Sequence, residues 1–367
     1  MILIVIMSIA NGVDKKEGCM KLISLFCLLC LLCTQVQAKA DVIFFNPGKA
    51  QESFWGDVDQ AMAEAANLVG LELEILHSNR DRLLMIDQVN ALVRSKTLPK
   101  YVVLVSEEAS ASKMLESFYG RPVYVALMLN DISKEERAQL KQDPHWQKFL
   151  LPAVVPDNYF IGQDSARALA ESMTSESPEV ICISGDTLTP ASVDRTSGAA
   201  DFFKSQTQLT LHQVVYAHWR EDSAYWLTLK MLKRYPNLTG IWTANDHMAF
   251  GVLRALEEQG IIAGRDIFIS TVNTSEKVLR LRQQDKITAL GGGHFLAGAV
   301  VMDKIAKHQH SGQYSAGSPF PLFSLLEPGS EYFTALLNRD WRAIISHKLC
   351  LPDPDLKLGC GVSVGAK

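Results

Sequence analysis

The sequence has 367 residues, of which 47% are hydrophobic and 21% are charged, and its formal net charge is −4. This length exceeds what one ordinary core accommodates and predicts two domains, and the hydrophobic content excludes a disordered chain. The mild negative charge argues against a nucleic-acid-binding protein, which needs a basic surface.

The N-terminus has the pattern of an export signal. Lys21 supplies a positive charge, residues 22–33 form a short apolar run, and Ala38 ends a small-residue cleavage site. This pattern predicts a secretory signal peptide cleaved after Ala38. Residues 1–19 are interpreted as an upstream extension, with Met20 as the true start; an N-terminal anchor is the alternative, but its apolar run is too short to span a bilayer. A lipoprotein signal is disfavoured because leucine, and no small residue, precedes Cys30 and Cys33.

The cysteines are concentrated in the predicted signal region. Four of the seven lie before residue 39, which leaves Cys182, Cys350 and Cys360 in the exported chain. An oxidising compartment permits a disulfide between Cys350 and Cys360, which close a short loop. Cys182 stands in an apolar run and is predicted to be a buried, unreactive thiol.

From residue 41 onward, apolar strand patterns alternate with helical patterns. In the first series, strands are predicted at 41–46, 71–76, 100–105 and 122–127, with helices at 54–68, 81–95 and 110–119. In the second series, strands are predicted at 179–184, 210–216, 240–243, 267–271 and 287–290, with helices at 157–173, 187–205, 223–235, 246–259, 276–284 and 295–308. This alternation predicts an α/β fold of two doubly wound parallel-sheet lobes joined by a hinge.

The domain prediction assigns residues 39–127 and 292–325 to the first lobe. Residues 128–291 and 326–367 form the second lobe with a C-terminal extension. The segment 134–156, which contains Trp146, is expected to be a surface decoration between the lobes.

Candidate ligand-binding residues follow the strands, because ligands of open α/β sheets bind beyond the carboxyl ends of the strands. Amide, carboxylate and guanidinium groups can bind paired hydroxyls, and an aromatic ring can cover a sugar face, so the set favours a polyol. The candidates are Asn46, Phe54, Trp55, Glu107 (with Glu108 as its alternative), Arg195, Asn245, Asn273 and Gly292.

Each candidate also has a structural interpretation. A single Asn after a strand is usually a turn or helix-cap residue, but three at equivalent strand ends favour a site. Phe54 and Trp55 are adjacent and cannot both face one core stripe, so at least one is expected to face the cleft. The Gly291–Gly293 run lacks the spacing of a phosphate-binding loop and is interpreted as a hinge or a close approach to ligand.

Catalytic and metal patterns are weak. The Gly185-Asp186 turn is not a nucleophile elbow, and the nine histidines show no metal-ligand spacing. His294 is interpreted as structural. The sequence therefore predicts neither an enzyme nor a cofactor or metal site.

The segment from Trp242 to Gly260, WTANDHMAFGVLRALEEQG, resembles the type I periplasmic binding proteins for sugars, the ribose/galactose group, and the resemblance extends over 41–325. The Phe45-Asn46-Pro47 and Phe54-Trp55 motifs are similar to the family's first strand and aromatic pair, with a short insertion between them. Gly185-Asp186, Arg195 and Gly198 are similar to the segment that carries its sugar-binding arginine. Asn273 stands where the family commonly has Asp, and Gly292 lies near a position often held by Gln. Because of these two differences, the resemblance does not predict the family's usual pentose or hexose as the ligand.

The resemblance implies a monomeric periplasmic protein that closes about its hinge on a small-molecule ligand, a sugar or polyol, and presents it to an inner-membrane ABC permease. Residues 331–349 resemble a C-terminal extension in a branch that includes receptors related to the autoinducer-2 binding protein. The alternative is therefore a co-receptor for a sensor kinase or another signalling protein. A sugar-repressor-type regulator would need a helix-turn-helix where the export signal stands, and an exported enzyme would need a catalytic set that is not found.

Overall fold

The computed structural model of the protein describes residues 40–95, 97–314 and 320–349. The predicted signal peptide, its cleavage after Ala38 and the predicted Cys350–Cys360 disulfide lie outside these residues. Within the described ranges, no helix combines the length and the apolar character needed to cross a membrane.

The first lobe is built on a four-stranded parallel sheet in the order β2-β1-β3-β4. Its central strands are apolar and buried on both faces, as expected when helices cover both sides of a parallel sheet. The strands are β1 (Val42–Asn46), β2 (Leu73–His77), β3 (Tyr101–Leu104) and β4 (Tyr124–Leu127), and the helices that connect them are α1 (Ser53–Val69), α2 (Arg82–Arg94) and α3 (Ala111–Phe118).

The second lobe is built on a six-stranded sheet in the order β10-β9-β8-β7-β5-β6, in which only β10 is antiparallel to its neighbour. The strands are β5 (Glu179–Ser184), β6 (Thr210–Tyr216), β7 (Gly240–Thr243), β8 (Phe268–Val272), β9 (Ala289–Gly292) and β10 (Ser324–Leu325). The helices of this part of the chain are α6 (Asn158–Ser172), α7 (Pro190–Ser205), α8 (Glu221–Arg234), α9 (Asp246–Glu258) and α10 (Glu276–Gln283).

The predicted fold class is confirmed, since two parallel α/β sheets are present. Three predicted strands, 179–184, 210–216 and 240–243, have the observed bounds of β5, β6 and β7. The predicted bounds of the first lobe differ from the structure. They include Gly292 and residues 324–325, yet β9, which ends at Gly292, and β10 pair with each other in the second sheet.

The segment between the lobes is not a surface decoration, and that prediction is wrong. It forms α4 (Lys134–Leu140) and α5 (Pro144–Phe149), and Trp146 is only 4% exposed within the core of the first lobe. Isolated bridges join Val125 to Leu150 and Met128 to Val154. The segment therefore covers β4, an edge strand that would otherwise present unpaired backbone groups.

The C-terminal helices contact both lobes. After α11 (Ala297–Ser311), which packs on α1, the chain returns to the second sheet and then forms α12 (Glu331–Asn338) and α13 (Trp341–Lys348). Helix α12 packs against α10 of the second lobe, whereas α13 packs against α1 of the first. The prediction that places residues 326–367 with the second lobe therefore fits the packing of α12 but not that of α13.

Candidate functional site

A cleft with a cavity volume of about 80 Å³ lies between the two lobes, beyond the carboxyl ends of their strands. The residues that line it are Glu52, Phe54, Trp55, Arg80, Glu107, Leu129, Asn130, Pro156, Asn158, Thr189, Ala191, Arg195, Trp219, Asn245, His247, Asn273 and His294.

The structure brings most of the predicted site residues to this cleft. Those that line it are Phe54, Trp55, Glu107, Arg195, Asn245 and Asn273. Asn46 and Gly292 are not among the lining residues. Glu108, the alternative to Glu107, is about half exposed and pairs with Arg82 outside the cleft.

Asn46 is turned into the first lobe. Its Nδ2 donates to Oδ1 of Asp59 at 2.6 Å, and its Oδ1 accepts from the backbone N–H of Gly48 at 2.8 Å. The side chain is fully buried and stabilises the turn after β1, which is the structural role that a lone Asn after a strand commonly has.

Gly292 has a packing role. A Cβ atom at this position would lie 2.7 Å from Cγ2 of Thr274 and 2.8 Å from Cδ1 of Leu326, too close for either contact. The close approach expected at the glycine run is therefore an approach to neighbouring side chains of the protein.

An aromatic wall closes the first-lobe side of the cleft. Trp55 is 3% exposed, whereas Phe54 is half-buried and stacks on His294 with ring centroids 4.6 Å apart and planes 20° apart. His294 stacks in turn on Phe323 at 4.7 Å. Burial and the charge of Arg195 lower the pKa of His294 well below its ordinary value, so this ring is neutral.

An ion cluster forms the acidic end of the cleft. The guanidinium of Arg80 binds Glu52 and lies 3.0 Å from Oε1 of Glu107. Burial raises the pKa of the Glu107 carboxyl, while the charge of Arg80 opposes that rise. Both carboxylates therefore form ion pairs with the same guanidinium, that of Arg80.

Arg195 reaches the cleft because its helix lies very close to α6. Glycines stand at the crossing: a Cβ at Gly162 would lie 2.0 Å from the Arg195 carbonyl oxygen, and one at Gly198 would lie 2.1 Å from that of Tyr159. The Arg195 guanidinium donates to the Ala244 carbonyl at 2.6 Å and to Oδ1 of Asn158 at 2.8 Å. Burial lowers its pKa to about 9.

The two asparagines of the second lobe combine structural contacts with a place on the cleft wall. Asn245 caps α9, since its Oδ1 accepts from the backbone N–H of Met248 at 2.9 Å. Asn273 donates through Nδ2 to Oδ1 of Asp246 at 2.7 Å. Each of these two residues therefore makes a structural hydrogen bond and also lines the cleft.

Sequence reasoning missed several polar lining residues. Asn158 begins α6, Arg80 lies in a left-handed turn after β2, and Trp219 lies in another after β6. Trp219 Nε1 donates to Asp186 at 2.7 Å, and the Asp186 carboxylate also binds the Thr189 backbone. Asp186, which directly follows the Ser184 end of β5 in the Gly185-Asp186 turn, is a local signal that points to this part of the wall.

The cleft offers hydrogen-bonding and stacking groups, but the described residues contain no cluster of three or more His, Cys, Asp or Glu that could hold a metal. Its chemistry is that of a binding site for a small polar molecule with an apolar face.

Comparisons with known proteins agree with this geometry. A family model described as a periplasmic binding protein domain matches residues 42–294. The D-allose-binding periplasmic protein of Escherichia coli (strain K12) is 32% identical over 107 residues, which are 29% of this chain and 34% of that protein. The chain therefore matches about a third of the length of that curated relative.

Solved structures share the fold. A periplasmic sugar-binding protein from Pseudomonas fluorescens is 27% identical with a TM-score of 0.73, over 83% of this chain and 91% of its own. A periplasmic solute-binding protein of an ABC transporter from Actinobacillus succinogenes 130z, with bound D-allose, has a TM-score of 0.68 at 16% identity, over 81% and 98% of the two chains. Because the family model covers well over half of the sequence, the chain belongs to the periplasmic binding protein domain family.

Proposed function

We propose that this protein is exported to the periplasm, where it captures a sugar or a similar polyol in the cleft between its lobes and releases it unchanged. The observation that carries the proposal is the composition of the cleft wall, which combines the aromatic residues Phe54 and Trp55 with Arg195, Asn245 and Asn273. Aromatic rings suit the C–H face of a sugar, and amides and guanidinium suit its hydroxyls.

Contacts between the lobes support capture by hinge closure. The Ser53 hydroxyl at the start of α1 lies 3.3 Å from Nε2 of His247 in α9. The Thr274 hydroxyl donates to Asp57 of α1 at 2.9 Å. Such contacts stabilise a closed form around a ligand, and closure of this kind is a common response of two-lobed proteins.

We infer that the closed form docks on an inner-membrane ABC permease. The alternative partner, a sensor kinase or another signalling protein, rests on the resemblance of residues 331–349 to a C-terminal extension of receptors related to the autoinducer-2 binding protein; these residues include α12 and α13, which pack on α10 and α1. Deletion of the gene separates these partners: loss of ligand uptake supports the permease, whereas normal uptake with a lost transcriptional response supports the sensor.

A thermal-shift screen of sugars, polyols and autoinducer-2, followed by calorimetry, tests the binding function. A ligand at about 100 times its Kd stabilises the native state by about 2.7 kcal/mol, so a true ligand raises Tm measurably. Phe54→Ala is expected to weaken binding of the identified ligand up to about tenfold, through loss of an aromatic contact worth about 0.5–1.5 kcal/mol. Leu83→Ala, at an exposed position of α2 outside the cleft, is the control and should bind normally. If none of the compounds raises Tm, the result contradicts the proposal.

A further inference from the structure

The guanidinium of Arg195 is a buried positive charge on the cleft wall. The residue is 3% exposed and lines the cavity. Its hydrogen bonds within the described residues go to the Ala244 carbonyl and to the Asn158 amide oxygen, both of which are neutral. Phe323 lies under the guanidinium at 5.4 Å from its ring centroid.

No carboxylate among the described residues forms an ion pair with this guanidinium. The two carboxylates of the cleft wall, Glu52 and Glu107, are both bound to Arg80. Asn245 and Asn273 are neutral amides, and His294 is neutral because of its burial and the charge of Arg195. Buried charges in proteins are normally paired, so the free cleft has one positive charge in excess at this point.

Hydrogen-bonding atoms at the same place lack partners. Arg195 Nε is buried and binds no acceptor among the described residues, and Nδ1 of His294, whose pKa the Arg195 charge helps to lower, is likewise unpaired. Unpaired buried donors are costly, and a ligand that supplies acceptors removes that cost. A carboxylate supplies acceptor oxygens together with the missing charge, and its planar geometry matches the edge of a guanidinium.

We propose that the ligand is a sugar acid, a monosaccharide derivative whose carboxylate binds Nε of Arg195 and an adjacent Nη hydrogen while its hydroxyls face the Glu107 end. This inference rests on the proposed function and names its ligand class. A carboxylate balances the single charge of Arg195, whereas a phosphate monoester carries about 1.5 to 2 negative charges and would leave an excess.

Matched ligand pairs test the inference. Calorimetry compares glucose with glucuronate and gluconate, galactose with galacturonate, and ribose with ribose 5-phosphate. At least one acid is expected to bind ten times or more tightly than its neutral partner. Arg195→Gln should remove this preference, and Arg195→Lys should keep part of it. Arg254→Gln, on the surface of the second lobe, is the matched control and should keep the preference in full.

The wild-type affinity ratio alone decides the inference if Arg195→Gln does not fold. A neutral sugar that binds as tightly as its acid overturns the sugar-acid assignment and leaves the proposed function standing. A preference for ribose 5-phosphate over the acids overturns the choice of carboxylate. Failure of every sugar and every derivative to bind overturns the proposed function itself.

Discussion

Asp57→Asn is expected to stabilise the protein at neutral pH. Asp57 lies in α1 and is 5% exposed, and its Oδ2 accepts from the Thr274 hydroxyl at 2.9 Å and from Nη1 of Arg339 at 3.1 Å. Burial nevertheless raises the pKa of this carboxyl from 3.8 to about 6, against the opposing effects of the Arg339 charge and the Thr274 hydrogen bond. Ionised Asp57 is thus unfavourable in the folded protein.

The size of the expected stabilisation follows from the difference between the pKa of Asp57 in the folded protein, about 6, and its ordinary value of 3.8. At 1.36 kcal/mol per pH unit, the ionised carboxyl costs the folded state ~3 kcal/mol at pH 7 and about half of that at pH 5. Between pH 3.8 and 6 the native state holds a proton that the unfolded state has released, so the free energy of unfolding falls as pH rises through this window. Asparagine has no charge to lose, and its Oδ1 can still accept from Thr274.

Urea unfolding, followed by tryptophan fluorescence, checks this expectation at pH 7.5, 5 and 4. The Asp57→Asn variant should be more stable than wild type by ~3 kcal/mol at pH 7.5, and the two curves should converge toward pH 4. Asp87→Asn, at an exposed position of α2, is the control and should change stability by less than about 0.5 kcal/mol. A variant that is less stable than wild type at pH 7.5 would refute the reasoning, because the ion pair with Arg339 would then outweigh the cost of burial.

Two further predictions concern the cores. Trp146→Ala should lower the free energy of unfolding by about 3–5 kcal/mol, since Trp146 packs in the core of the first lobe. Trp226→Ala, at a site that is 61% exposed, is the control and should change it by less than about 0.5 kcal/mol. Equal effects of the two variants in urea unfolding would contradict the observed packing. Cys182 should stay unmodified by iodoacetamide in the native protein at pH 8 and react in urea, because it is fully buried and burial raises the pKa of its thiol. Peptide mass spectrometry measures the extent of labelling. Rapid labelling of the native protein would contradict the burial of Cys182 in β5.

The sequence by itself determined the alternation of strands and helices and hence the two parallel sheets. Burial of an apolar stripe or strand depends on the spacing of residues within about a dozen positions, so β5, β6 and β7 were predicted with their observed bounds. Most of the cleft candidates were also predicted, because parallel strands bring their carboxyl ends to one edge of each sheet.

Only the tertiary structure decided which side chains meet in the cleft. Ser53 and His247 are 194 positions apart, and Asp57 and Arg339 are 282 apart, so no local pattern predicts these pairs. The same limit explains the two candidates that do not line the cleft. A local pattern cannot distinguish an Asn that closes its own turn, such as Asn46, from one that also lines the cleft, such as Asn245, because that choice depends on the packing of distant segments.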